Sequence, residues 1–141
     1  MRIILLLLIL SFIMPATIDT SLGECTIQLE TGDTDLLQKI TEITERETFK
    51  MVQEFGEIKL RPFTIIVVPT EDAFILQTKG HAPEWSMAVA MNRTSQIVMK
   101  SPVVSNISYT RFLDVLVHEL THMYLFRVSG YATFPSWFNE G

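Results

Sequence analysis

Apolar and polar positions alternate over Thr26 to Glu30, with Ile27 and Leu29 between polar neighbours, and this period of two predicts a short strand. Gly32-Asp33-Thr34 then supplies a turn and a cap. From Asp35 to Phe55 the period changes. Leu36, Leu37, Ile40, Ile43, Met51, Val52 and Phe55 recur mostly at helical spacing, and Gly56 is placed to end an amphipathic helix. The block Phe63 to Val68, bracketed by Pro62 and Pro69, is β-branched and apolar on both faces, the pattern of an interior strand covered by helices. Thr70 can cap a short helix that Gly80 closes.

Trp85 to Met91 and Gln96 to Lys100 flank the polar connection Asn92-Arg93-Thr94-Ser95, which predicts an outer hairpin. Ser101-Pro102 and Ser105-Asn106 punctuate the chain before a long helix from about Ser108 to Val128, with Gly130 just past its end. Apolar residues at Leu113, Val115, Leu116, Val117, Leu120, Met123, Tyr124, Leu125 and Phe126 surround most of this helix, so it is expected to be largely buried. No repeat, low-complexity tract or linker divides the pattern, and the expected class is α+β in one unit.

The amino terminus follows a different rule. Met1-Arg2 precedes the apolar run Ile3 to Leu10 and Ser11-Phe12-Ile13-Met14, shorter than the roughly 20 residues that span a bilayer and arranged like a secretory leader. Small residues favour cleavage after Gly23, with Ala16 as the competing position, so residues 1–23 are read as a signal peptide and residues 24–141 as the mature domain of an exported protein. Removing Arg2 and Asp19 with the leader leaves 10 basic and 15 acidic residues and the net charge at −5, which argues against nucleic acid or an anionic membrane surface as partner. The single cysteine, Cys25, cannot form an internal disulfide. Leu22-Gly23-Glu24-Cys25 resembles a bacterial lipoprotein box, in which Cys25 would carry a lipid anchor, but Glu24 stands where a small residue is needed.

The long helix contains His118-Glu119-Leu120-Thr121-His122, an HExxH motif. Residues four apart on a helix have Cβ atoms about 5–6 Å apart, so both imidazoles can converge on one ion at about 2.0–2.1 Å each. Glu119 is turned about 100° from His118, beside a metal rather than on it, where its carboxylate can take a proton from water. A chance string on a structural helix is the bland alternative. Against it, two of the three histidines of the chain fall in the motif, and His and Glu on a buried helix are costly without a shared partner. A catalytic zinc keeps three protein ligands and an open position. Downstream, Pro135 suits the first turn of a further helix and Glu140 lies on its second turn, 18 positions past His122.

HELTH followed by PSWFNEG resembles the peptidase MA-like branch of the gluzincins, zinc peptidases whose third ligand is a glutamate on the following helix. The likeness extends more weakly over residues 60–141, because family members also place a buried strand, a short helix and a hairpin before the motif helix. It implies a zincin-like upper subdomain: a small mixed sheet with an antiparallel outer hairpin, packed on the HExxH helix and an amino-terminal helix. It further implies that His118, His122 and Glu140 hold Zn2+, that Glu119 is the catalytic base, and that strand Trp85 to Met91 is an edge on which an extended peptide substrate pairs. Gluzincins continue past the third ligand into a helical lower half with an oxyanion-stabilising Tyr or His. The sequence stops one residue after Glu140, so it is expected to be the amino-terminal part of a longer enzyme, with a minimal domain as the alternative.

Other residues carry weaker signals. His81 lies in a loop, and Asp114, one turn before His118, could orient that ring. Tyr109, Tyr124 and Tyr131 are candidate oxyanion donors but suit packing better. Trp85 and Trp137 are read as structural anchors. Asn92-Arg93-Thr94 and Asn106-Ile107-Ser108 fit the glycosylation pattern. The expected function is zinc-dependent peptide hydrolysis. The alternatives are a noncatalytic exported module that binds zinc or a peptide, and a lipid-anchored structural piece with an incidental motif.

Overall fold

The computed structural model describes residues 15–130. Its elements are β1 (Ala16–Thr20), β2 (Gly23–Leu29), α1 (Thr34–Phe55), β3 (Phe63–Val68), α2 (Glu71–Thr78), β4 (Ala88–Met91), β5 (Gln96–Lys100), α3 (Pro102–Ser105) and α4 (Tyr109–Val128). The class is α+β, with a five-stranded sheet in the order β1-β2-β3-β5-β4. β2, β3 and β5 run parallel. Each edge is an antiparallel strand, β1 on β2 and β4 on β5.

The sheet is covered on both faces, as the two-sided apolar pattern of β3 requires. Phe63, Ile65 and Val67 join Cys25, Ile27, Ile97 and Met99 in the main core, which includes Leu36 and Ile40 of α1 and Leu116 and Leu120 of α4. Ile66 and Val68 turn the other way, onto Phe74 of α2 with Val98. α1 begins where Asp33 accepts from the Leu36 amide at 3.0 Å and ends at Gly56, whose φ of 105° few other residues adopt.

The strands differ from expectation at two places. β2 starts at Gly23, and β1 occupies a segment assigned to the leader. The two are joined by the two-residue turn Ser21-Leu22, held by the Thr20 hydroxyl, which accepts from the Leu22 amide at 3.1 Å and donates to the Gly23 carbonyl at 2.7 Å. Leu22 is fully buried, and its carbonyl accepts from the Arg61 amide at 3.1 Å and from Arg127 Nη1 at 2.8 Å. Gly23 has φ 125°, and a Cβ there would lie 2.4 Å from the Arg61 carbonyl oxygen. A leader boundary after Gly23 falls inside this hairpin, whereas one after Ala16 leaves β1 nearly whole. β4 is also shorter than the predicted Trp85 to Met91, because the chain from Pro83 to Ser86 is a turn closed by Ser86 N–H donating to Pro83 O at 2.9 Å.

Cys25 sits in the middle of β2, paired with Ile18 on one side and Phe63 on the other. It is fully buried, and burial pushes its thiol up to about 12, against a smaller opposing effect of a backbone hydrogen bond at Ile65.

Candidate metal centre

Helix α4 starts at Ser108, whose hydroxyl accepts from the Arg111 amide at 3.2 Å. It is then fixed along its length. Near its start the Tyr109 hydroxyl donates to Asp33, the residue that caps α1. This bond lowers the Asp33 pKa, helped by the Leu36 amide, and the same partner raises that of Tyr109. Further along, the Tyr124 hydroxyl donates to the Gly56 carbonyl at the end of α1 at 2.7 Å, and burial raises its pKa. In the last turn Arg127 reaches Leu22 and lies over the Phe63 ring at 5.5 Å. Phe112, Leu116, Leu120 and Met123 fill the core side of the same helix.

The opposite side is open, which corrects the expectation of a largely buried helix. Arg111, Asp114, His118 and Thr121 are exposed, and Val117, Leu125 and Phe126 are only half-buried. An apolar residue on a helix need not be enclosed, so counting them around the circumference overstates burial. The open stripe faces the sheet edge across a groove of about 610 Å³, bordered by Trp85, Met87, Ala88 and Ala90 on one side and by Asp114, Val115 and the motif on the other. His118 is exposed and His122 half-buried, while Glu119 is 8 % exposed. The difference in depth follows from the rotation of about 100° between neighbouring residues.

The two motif imidazoles meet as their spacing predicts. Their Nε2 atoms are 2.8 Å apart, and the rings stand 4.4 Å apart, centre to centre, at 89°. At this separation either one ring donates to the other or both nitrogens address one cation; two protonated rings would repel. Nitrogens each about 2.0–2.1 Å from a tetrahedral zinc ion stand about 3.3 Å apart, so small side-chain rotations bring this pair to ligating geometry. The imidazole pair therefore fits the ion. Among the described residues no set of three His, Cys, Asp or Glu side chains surrounds a common point. Glu140, expected to complete the ligand set, lies outside the described residues, as do Tyr131, Pro135 and Trp137.

The remaining candidates separate. Asp114 lines the groove one turn from His118, whereas His81 is exposed and does not border it. Tyr109 and Tyr124 tie helices together through Asp33 and Gly56, so their hydroxyls serve packing. Trp85 is corrected from structural anchor to groove rim: it is 84 % exposed. The sequence reading missed Lys100, which is 6 % exposed at the end of β5. Its Nζ contacts Glu71 at 2.7 Å, donates to the Glu84 carbonyl at 3.0 Å and lies 4.8 Å from the centre of the Phe74 ring. It thereby holds the segment leading into β4 against α2. The available signal was a charge closing an otherwise apolar strand.

No protein-family model matches the chain, and no curated protein shows significant similarity to it.

Proposed function

We propose that this protein is an exported zinc-dependent peptidase of the gluzincin kind. The observation that carries the reading is the convergence of the His118 and His122 Nε2 atoms, 2.8 Å apart, beside a buried Glu119 on an open groove. A mixed sheet whose edge strand β4 lies beside the motif helix supports a zincin-like upper subdomain. His118, His122 and Glu140 are the residues that would hold Zn2+. Bound there, the ion would supply Lewis-acid polarisation of water and of the scissile carbonyl.

The chain's own groups account for the rest. Among the described residues β4 is paired on one side only, so its free edge offers main-chain N–H and C=O groups to an extended peptide, which it aligns across the groove. Glu119, in the same groove, takes a proton from the attacking water and returns it to the leaving amine. Its burial keeps that carboxylate away from competing bulk water. Export is proposed from the leader-like amino terminus. The burial of Cys25 within β2 supports a protein without a lipid anchor at that residue.

Zinc analysis of the purified full chain is expected to give about one ion per chain, lost in His118→Ala and Glu140→Ala. Glu119→Gln is expected to keep the metal while peptide hydrolysis falls about 10²- to 10⁴-fold. A folded protein that takes up no zinc overturns the reading. Zinc and peptide binding without turnover selects the noncatalytic module instead.

A further inference from the structure

The open face of α4 carries a cation that hydrolysis does not require. Arg111, Val115, His118 and His122 are separated by four, three and four residues and so share one helix face, and all four border the groove. Arg111 is exposed and is the one Lys or Arg among the described residues lining it. Seven residues separate Arg111 from His118, about 10.5 Å along the axis, and Cβ atoms lean toward the amino-terminal end of a helix. An extended peptide advances about 3.3 Å per residue, so the guanidinium meets roughly the third or fourth residue from the bond at the motif.

The charge at this position is uncommitted. Lys39, Arg46, Lys50 and Lys100 each pair with a carboxylate, and Arg127 is bonded to a main-chain carbonyl; Lys59, Lys79 and Arg93 form no ion pair among the described residues either, but none of them borders the groove. Arg111 makes no ion pair among the described residues, not even with Asp114 one turn away. In a chain of net charge −5, Arg111 is a single cation in a groove whose lining also carries the carboxylates of Asp114 and Glu119. Its planar fork binds a carboxylate through two parallel hydrogen bonds, which a lysine does not reproduce.

We propose that Arg111 forms an anion subsite that selects peptides carrying a carboxylate three or four residues from the scissile bond. This rests on the peptidase reading for the location of that bond. The carboxylate is an Asp or Glu side chain or the free carboxyl terminus of a short substrate. Asp114 opposes it and sets how strongly an acidic peptide is preferred.

The test uses the full chain as Glu119→Gln, so that peptides bind without being consumed. Acetylated and amidated nonapeptides with one Glu, one Gln or one Lys, scanned through every position, are titrated by calorimetry with and without added zinc. One register is expected to favour Glu over Gln by roughly five- to tenfold. The advantage should vanish in Arg111→Gln, invert toward Lys in Arg111→Glu, and grow in Asp114→Asn. A neutral peptide with a free carboxyl terminus replaces the Glu effect if the terminal carboxylate is the ligand. Equal Glu and Gln affinities at every register, an unchanged ratio in Arg111→Gln, or no peptide binding overturns the subsite. A protein that binds no zinc overturns the peptidase reading alone, because the Glu-to-Gln ratio is read in both conditions.

Discussion

Asp33 shows how one side chain can serve two elements. Its carboxylate caps α1 by accepting from the Leu36 amide and receives the Tyr109 hydroxyl at the start of α4. These bonds favour the ionised form and hold its pKa below the ordinary carboxylate value. The stabilisation it gives is therefore complete above the unfolded value of about 4 and is lost as pH falls through the lower folded value. Asp33→Asn keeps a capping side chain but removes the titration. Urea unfolding of both forms between pH 7 and about pH 2 is expected to show a shallower acid decline in the variant. Asp33→Ala should cost about 1 kcal/mol at neutral pH through the lost cap.

Among the elements, α4 is held by distant partners along its length, through Asp33, Gly56 and Leu22. Leu120 lies inside the motif yet is fully buried, on the side opposite the groove. Leu120→Ala is expected to destabilise the protein by about 2–5 kcal/mol in urea unfolding. The reduced stability should come without loss of zinc in the variant molecules that remain folded. β3, α1, the β4–β5 hairpin and α4 were legible because each carries its own period, bounded by Pro, Gly or a capping residue. β1 was not, because its alternation at Ala16-Thr17-Ile18-Asp19-Thr20 directly follows a leader-like apolar run. The imidazole pair was legible for the same local reason, since four residues of helix fix its geometry. The groove was not, because Trp85 and Arg111 meet across it only after β4 has paired with β5 and packed on α4. No local pattern reports the packing of that hairpin on α4.

For the whole molecule, the β1–β2 hairpin bears on where the proposed leader would end. Cleavage after Gly23 would remove the edge strand, the buried Leu22 side chain and the carbonyl that receives both Arg61 and Arg127. Cleavage after Ala16 keeps all three. With export and leader removal as proposed, mass spectrometry of the mature protein is expected to find the segment 17–23 attached to it. A mature terminus at Glu24 would show that the domain stands without β1.

The bond from Arg127 to Leu22 joins residues 105 positions apart. A chain delivered from its amino terminus presents the Leu22 turn early and must keep it waiting until nearly all of α4 has emerged. Contacts of such separation are slow to form, because the intervening loop must close first. During synthesis the main face of the sheet would therefore be covered by α1 alone, an open invitation to chaperones and proteases. Chains stalled at Lys100 should be digested readily, and those extended to Gly130 should resist, making completion of α4 the moment at which the polypeptide becomes safe from degradation.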